Sequence, residues 1–522
     1  MIQRALLHVL LLLTALLAGC AGMPPRSEPP ESFAYTDTAA TSLGRIAAAS
    51  KPAGNAETSG FRLLPMGEFA FTARTSLAER AERSIDAQYY HIHDDSAGAA
   101  FLRSLREAAQ RGVRVRLLID DFHAAPVYPL LLGLAATPNA EVRLFNPLPV
   151  RHGAPLTRML LSLSEFGRVN HRMHNKLFVA DNAVAVFGGR NVADEYFMSS
   201  KTANFVDMDV LAAGPVVQAL SQSFDRYWNS DHVWVLHDVV PPTAEPPLLR
   251  AEFDRRTAAL PKVADTTLVR DPFGQSSVAE QLAAGQLQLT PGTAQVYADS
   301  PSKVQAQRDA NSMTAAMRGK LETISRAEKE VLIVTPYFLP GPVGVEMMQE
   351  AAKKGHSAII ITNSLGSTDE PLVHRAYSRY RPRILELGMQ LYEFSPTLPR
   401  RSLRFGNFGN SLSRLHAKAT AVDRRWLVVG SVNLDARSAI YNTELGVVID
   451  SAPITEQFVQ LLASDDYGSM YQLRLAPDGR TLQWWSTDSS GRSTMTDREP
   501  GASWLQDIVL WFQSLFIDET SL

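Results

Sequence analysis

The chain has 522 residues, 45% of them hydrophobic and 20% charged, with a formal net charge of −3. That composition excludes a collagen-like, coiled-coil or wholly disordered chain and gives no global attraction to nucleic acid, so any anion binding must be local. The length predicts two domains or one duplicated unit.

Residues 1–19 read as a signal peptide, because Arg4 precedes an apolar run from Ala5 to Leu17 that is short for a membrane span. The run ends in Leu17-Ala18-Gly19-Cys20, and Cys20 is the single cysteine of the chain, so no disulfide competes for it. The segment resembles a bacterial lipoprotein signal, which implies a lipidated Cys20 as the new N-terminus. Acyl chains contribute about 0.8 kcal/mol per buried methylene, so several would hold the protein to a membrane surface without a spanning helix. The expected location is the cell envelope, facing the periplasm. Ala21, rather than aspartate, favours the outer over the inner membrane by the sorting pattern of such lipoproteins. Residues 20–60 are rich in Pro, Ser, Ala and Thr without apolar periodicity, and predict a flexible tether.

From Ser84 to Tyr90 the pattern predicts a strand, from Ala97 to Gln110 an amphipathic helix closed by Gly112, and from Val113 to Asp120 a second strand. The same order returns at Glu330 to Leu339, Val343 to Lys354 closed by Gly355, and Ser357 to Ser364. The approaches match too, Ala81-Glu82-Arg83 in one copy and Ala327-Glu328-Lys329 in the other. Strands joined by helical crossovers predict a parallel or mixed sheet with helices on its faces, so the fold class is α/β and duplicated. The halves are assigned to residues 61–240 and 301–476. A proline-rich connector spans 241–300, and an extension spans 477–522.

Each half then carries one motif. The first has His174-Asn175-Lys176, Asp181 and Gly188-Gly189-Arg190-Asn191; the second has His416-Ala417-Lys418, Asp423 and Gly430-Ser431-Val432-Asn433, at identical spacing. Residues i and i+2 of an extended chain share a face, so each histidine and its lysine point the same way. The glycines permit a tight turn, or close approach to a ligand, that returns Asn191 and Asn433 beside them. Imidazole, ammonium and carboxamide then converge on one spot, a set suited to phosphate oxygens. Asp181 and Asp423 fall where hairpin turns are expected and are read as structural. Gln88 and Tyr90 share a face of the first strand, serving either the core or the site. Tyr337 and Phe338 are read as packing residues.

On these motifs the chain resembles the phospholipase D superfamily from about residue 60 to 475. The resemblance implies two α/β/α sandwich halves with the active site between them. One histidine would attack phosphorus and the other protonate the departing alkoxide, through a phosphohistidine. It favours His174 as nucleophile and His416 as acid, although spacing alone leaves their order open. Asp207 and Glu444, each following the motif of its own half, are the implied orienting acids, with Asp207 preferred to Asp209. With lysine and asparagine neutralising charge, the motifs call for no metal or cofactor, and they contain no clustered carboxylates or cysteines at ligand spacing.

Segments Asn363 to Glu370, Val373 to Tyr380, His171 to Lys176, Asp194 to Phe197 and Tyr471 to Leu475 resemble a bacterial cardiolipin synthase branch, the C type. That implies transfer of a phosphatidyl group from phosphatidylethanolamine or phosphatidylglycerol to the hydroxyl of a phosphatidylglycerol. Hydrolysis to phosphatidic acid is the alternative, and a nuclease a more distant one. The expected partners are membrane phospholipids, through the lipidated Cys20 also the membrane surface, and not nucleic acid; the sequence leaves open whether a helper protein takes part. Arg375, Arg379, Arg381, Arg383, Arg400, Arg401, Arg404 and Arg414 either hold anionic head groups or form ordinary salt bridges. Trp504, Ile508, Trp511 and Leu515 form the stripe of an amphipathic helix, for core packing or for a membrane interface.

Overall fold

A computed structural model describes residues 23–522, apart from 152, 154–156, 160–161, 163–164, 259–269, 306–313, 398–400, 403, 405, 409, 464–469, 488–490 and most of 503–522. The signal segment, Cys20 and the apolar stripe of the C-terminal helix lie outside the described residues.

The strands in chain order are β1 Ser59–Leu64, β2 Ser84–Tyr89, β3 Arg114–Asp120, β4 Ala140–Phe145, β5 Leu177–Ala180, β6 Val184–Gly188, β7 Ala203–Val206, β8 Asp209–Ala213 and β9 Val233–Val235. Then follow β10 Thr290–Ala298, β11 Glu330–Val334, β12 Ser357–Asn363, β13 Gln390–Phe394, the two-residue pair β14 Arg401–Ser402 and β15 Gly406–Asn407, and β16 Leu412–Leu415. The last are β17 Ala419–Val422, β18 Trp426–Gly430, β19 Leu445–Asp450, β20 Met470–Leu475, β21 Leu482–Thr487 and β22 Ser493–Thr496. In space the first half runs β9-β4-β3-β2-β5-β6-β8-β1, and the second runs β20-β13-β12-β11-β17-β18-β19-β10. The orders correspond strand for strand, as the duplication predicts. Within each, the central trio β2-β3-β4 or β11-β12-β13 is parallel, joined by right-sized helical crossovers such as Ser96–Gln110. That helix starts where the Asp95 carboxylate accepts the Gly98 N–H, and it stops at Gly112, whose φ of 95° suits a residue without a Cβ.

Three boundaries move. The expected connector already contains β10, which pairs antiparallel with β1 through Ser59–Gly292 and with β19 through Thr293–Asp450, so it welds the two sheets into one. Its Pro291-Gly292 reads as a turn in sequence; an outer position in each sheet tolerates it. The expected extension supplies β21 and β22, which continue the second sheet beyond β20.

The expected tether is the third correction, because its described part lies against the first half. Arg26 pairs with Asp231 at 2.8 Å, Ser32 O accepts from the buried Arg116 at 2.6 Å, and Tyr35 lies under Arg114 at 4.0 Å from its ring centroid. Residues Ser42–Ala49 form a helix capped by Thr41. Polar composition suggested solvation, but the Ser32 carbonyl completes the hydrogen bonding of the buried Arg116, and Tyr35 packs on Arg114.

One apolar cluster is shared between the halves. It joins Phe61, Leu118 and Phe187 of the first half with Val334, Ile361 and Val447 of the second, together with Phe224, Trp228 and Phe458 from the helices Pro215–Trp228 and Ala452–Ala463. Fully burying such a side chain contributes roughly 1.5–3 kcal/mol, so this cluster ties the halves together, beside a separate core in each: one around Leu77, Phe101 and Leu117 in the first and one around Ile333, Ile360 and Leu391 in the second.

Candidate active site

Where the two halves meet, their backbones pair directly. β16, which leads into His416, lies parallel to β7, which leads into Asp207, and the His416 N–H donates to Val206 O at 2.8 Å. On the other side Met173 forms a parallel bridge with Thr443, and the His174 N–H donates to Thr443 O at 2.8 Å. Each histidine is thereby set beside the acid of the opposite half. His174 Nδ1 lies 3.1 Å from Glu444 Oε2, and His416 Nδ1 lies 2.7 Å from Asp207 Oδ2. Chain order suggests the uncrossed pairing; inter-half strand pairing imposes the crossed one. A carboxylate that accepts from Nδ1–H leaves Nε2 with the lone pair, as a nucleophile requires.

The lysines close the site from each side. Lys176 Nζ donates to His174 O at 2.5 Å, and Lys418 Nζ donates to His416 O at 2.5 Å while lying 3.0 Å from its Nδ1. Asn191 Nδ2 donates to the Tyr196 hydroxyl at 3.0 Å, whereas the carboxamide oxygens of Asn191 and Asn433 are buried without a protein partner. The residues after the first glycine of each motif differ for a physical reason. A Cβ on Gly189 would stand 2.1 Å from Asp207 Oδ1, so only glycine leaves room for that carboxylate. At the matching place Ser431 donates its hydroxyl to Glu444, which also accepts from Ser438 at 2.9 Å.

All of these groups are buried, and burial dominates the ionisation of the histidines and lysines. It pushes His174 down to about 4 against the pull of Glu444, and drives His416 well below the ordinary imidazole range, with Lys418 adding repulsion. Lys176 falls well below its usual range and Lys418 falls to about 8, both chiefly through burial. Burial raises the Asp207 carboxyl. It acts the same way on Glu444, but His174, Lys176 and Ser431 outweigh it and hold that carboxyl below its usual value. The site thus presents buried imidazoles held neutral, with two buried lysines beside the carboxylates of Glu444 and Asp207, an environment whose cost of desolvating the cations an entering phosphate anion would reduce.

Asp181 and Asp423 lie away from this centre. Asp181 accepts the N–H groups of Glu82, Arg83 and Ser84, and Asp423 those of Glu328, Lys329 and Glu330. Both have positive φ, 51° and 49°, in the hairpin turns expected for them. They tie each turn to the start of the neighbouring strand through backbone N–H groups.

Several neighbours were not legible in the motifs. Asp120 at the end of β3 accepts the Met173 N–H at 2.8 Å, and Asn363 at the end of β12 accepts the Leu415 N–H at 2.9 Å, so each half clamps the residue just before its histidine. The matching ends of the repeated strands were the available signal. Tyr90 stands edge-on to His174 at 5.2 Å; Tyr196 and Phe205 contact His416 at 5.2 and 4.8 Å. Gln88 sits behind the site against Met173. Tyr337 donates to Asp369 at 2.8 Å, and Phe338 packs in the core against Tyr377. Of the arginine cluster, Arg381 is buried against Glu393 and Glu499, while Arg379 and Arg383 pair with Glu519 and Glu386; Arg400 and the Arg401 side chain lie outside the described residues. Among the described residues no group of histidine, cysteine and carboxylate side chains is arranged to hold a metal, and no helix is long and apolar enough to cross a membrane.

Residues 75–228 and 321–465 match the family profile described as "Cardiolipin synthase, PLD-like domain". The chain is similar to cardiolipin synthase C of Escherichia coli (strain K12), with 34% identity over 449 residues that cover 85% of this chain and 92% of that protein. It is also similar to cardiolipin synthase A of Pseudomonas syringae pv. syringae (strain B728a), at 27% identity over 77% of this chain and 68% of that protein. Among solved structures, the phosphatidylserine synthase of Haemophilus influenzae Rd KW20 shares the fold, with a TM-score of 0.55 at 13% identity, covering 89% of this chain and 95% of that one.

Proposed function

Because the chain belongs to the cardiolipin synthase, phospholipase D-like family, we propose that this phosphatidyltransferase makes cardiolipin by a two-histidine route through a phosphohistidine. The observation that carries the mechanism is the crossed pairing of His174 with Glu444 and of His416 with Asp207. It gives each imidazole its own carboxylate where the two halves meet, which supports a single site built from both.

The donor's phosphate enters among Lys176, Lys418, Asn191 and Asn433, and its charge counters the burial, and the smaller lysine repulsion, that disfavour protonated histidine. His174 Nε2 attacks phosphorus, a P–N bond forms, and the P–O bond to the head-group alkoxide breaks. A proton from His416 goes to that alkoxide. His416, now neutral, takes the proton of the acceptor's hydroxyl, whose oxygen attacks phosphorus and breaks the P–N bond. The acceptor is phosphatidylglycerol and the donor phosphatidylethanolamine or phosphatidylglycerol. The pairwise matching of the half-sites supports the reversal of roles, since each histidine has its own carboxylate.

A lipidated Cys20 would anchor the enzyme in the cell envelope, facing the periplasm, with the outer membrane favoured. The lipobox-like run ending at Cys20 supports this.

Incubation of the purified enzyme with mixed phosphatidylglycerol and phosphatidylethanolamine vesicles, with products read by mass spectrometry, tests the reading. Cardiolipin is expected from the wild type and a loss of at least about 10³-fold from His174→Ala and from His416→Ala. Phosphatidic acid as the sole product would mean that water resolves the intermediate and that the enzyme is a lipase.

A further inference from the structure

Beside the catalytic centre, the first half carries three histidines that the reaction above does not use. His123 and His91 lie with ring centroids 4.7 Å apart and their planes tilted by 33°, and His93 lies 5.4 Å from His91. They adjoin the site directly. The Tyr90 ring touches His123 at 5.3 Å and His174 at 5.2 Å, and Lys176 Nζ is 5.3 Å from the same Tyr90 ring. His91 is also close enough to Lys176 to feel its charge. His93 is exposed and its Nδ1 is paired with Asp95 at 3.1 Å, whereas the rings of His91 and His123 are engaged among the described residues by ring contacts rather than by carboxylates.

The second half has no counterpart. Matching the repeats through Ile92 and Phe338, which bridge to Val192 and Leu434, puts His91 opposite Tyr337 and His93 opposite Leu339. Tyr337 donates to the carboxylate of Asp369. One wall of the otherwise matched site is therefore lined by imidazoles and the other by a tyrosine and a carboxylate.

A transfer between two phospholipids needs such a difference. The donor's phosphate is the reacting group, but the acceptor brings a second phosphate that must be held without reacting. In the product the two phosphorus atoms are joined through a glycerol bridge of six bonds, roughly 7 Å when extended. The imidazole wall is separated from His174 and the catalytic lysine by the single ring of Tyr90, while the carboxylate wall would repel an anion. Imidazole N–H groups donate to phosphate, and the anion favours their protonation once bound.

We propose that His91 and His123, with His93 at the rim, form the binding subsite for the unreactive phosphate of the acceptor lipid. This rests on the phosphatidyltransferase reading of the same site. It makes acceptor choice a property of the first half: a hydroxyl carried on a phosphodiester is preferred over a free alcohol, although the bond-forming step is the same.

The full chain with His91→Asn, His123→Asn and both changes would be assayed on phosphatidylethanolamine vesicles with either phosphatidylglycerol or free glycerol as acceptor. Glycerol offers a hydroxyl without a phosphate and yields phosphatidylglycerol. The expected result is a rise of about tenfold in KM for phosphatidylglycerol in the double variant, with a much smaller effect on transfer to glycerol, as for loss of one or two charge-assisted contacts. An equal loss with both acceptors, or no change with either, would overturn the assignment. A wild-type enzyme that makes no cardiolipin would instead overturn the transferase reading, and the subsite with it.

Discussion

Glu444, from the second half, is 3.1 Å from His174 Nδ1 in the first, although 270 residues separate them. The reverse contact, Asp207 to His416 at 2.7 Å, spans 209 residues. Each half thus lends its acid to the other, and one half alone holds no oriented histidine.

The crossing can be measured by double-mutant cycles. Glu444→Gln should lower kcat by about 10²–10⁴-fold, as expected when an imidazole loses the carboxylate that fixes its tautomer. The same change should add little to His174→Ala, because its partner is already gone, while Asp207→Asn should be similarly silent on His416→Ala. Uncrossed coupling, Glu444 with His416, is the result that would discard the pairing.

The acid limb of the pH profile should lie low. Burial holds His174 near 4, so kcat/KM should persist well below the ordinary imidazole value of about 6.5. For stability the sign is the same. The unfolded chain takes up the proton first as pH falls, so the contribution of neutral His174 is present above about 6.5 and is lost as pH drops towards 4. Chemical denaturation at pH 5 and 7 would show it, with His174→Gln as the variant whose slope should flatten.

Asp181→Asn should cost stability more than chemistry. Its carboxylate is fully buried and accepts three backbone N–H groups, and loss of part of that set is worth about 2–3 kcal/mol. Asp423→Asn should cost less, because that turn is more open to water. Burial raises the Asp423 carboxyl, but the N–H groups of Glu330, Glu328 and Lys329 outweigh it and hold the group below its usual value. Its share of stability is therefore present above the unfolded carboxyl pKa and is lost as pH falls through the lower folded one. Urea midpoints at pH 7 and 3 would check both, and an unchanged midpoint in Asp181→Asn would refute the role.

Residues 23–58 should behave as part of the body. Tyr35→Ala removes a ring lying against Arg114 and Arg83, and should lower stability by about 1–2 kcal/mol while leaving kcat unaltered. Hydrogen exchange should find the helix Ser42–Ala49 protected in the wild type. Free exchange throughout this segment would restore the tether.

The sequence by itself determined what is local or repeated. Strand-helix-strand periodicity identified the α/β units, and equal spacing of His174 to Asn191 and of His416 to Asn433 singled out the two half-sites. It also placed Asp181 and Asp423 in turns, because a turn is set by neighbouring residues. Only the tertiary structure decided which acid serves which histidine. That choice follows from the parallel pairing of β16 with β7 and of Met173 with Thr443, contacts between halves that leave no local pattern. The docking of the N-terminal segment and the strand role of β10 were hidden for a related reason. Proline, glycine and serine read as loop when their neighbours in sequence are considered, while their hydrogen-bond partners, Arg116 and the edges of both sheets, are supplied by distant parts of the fold.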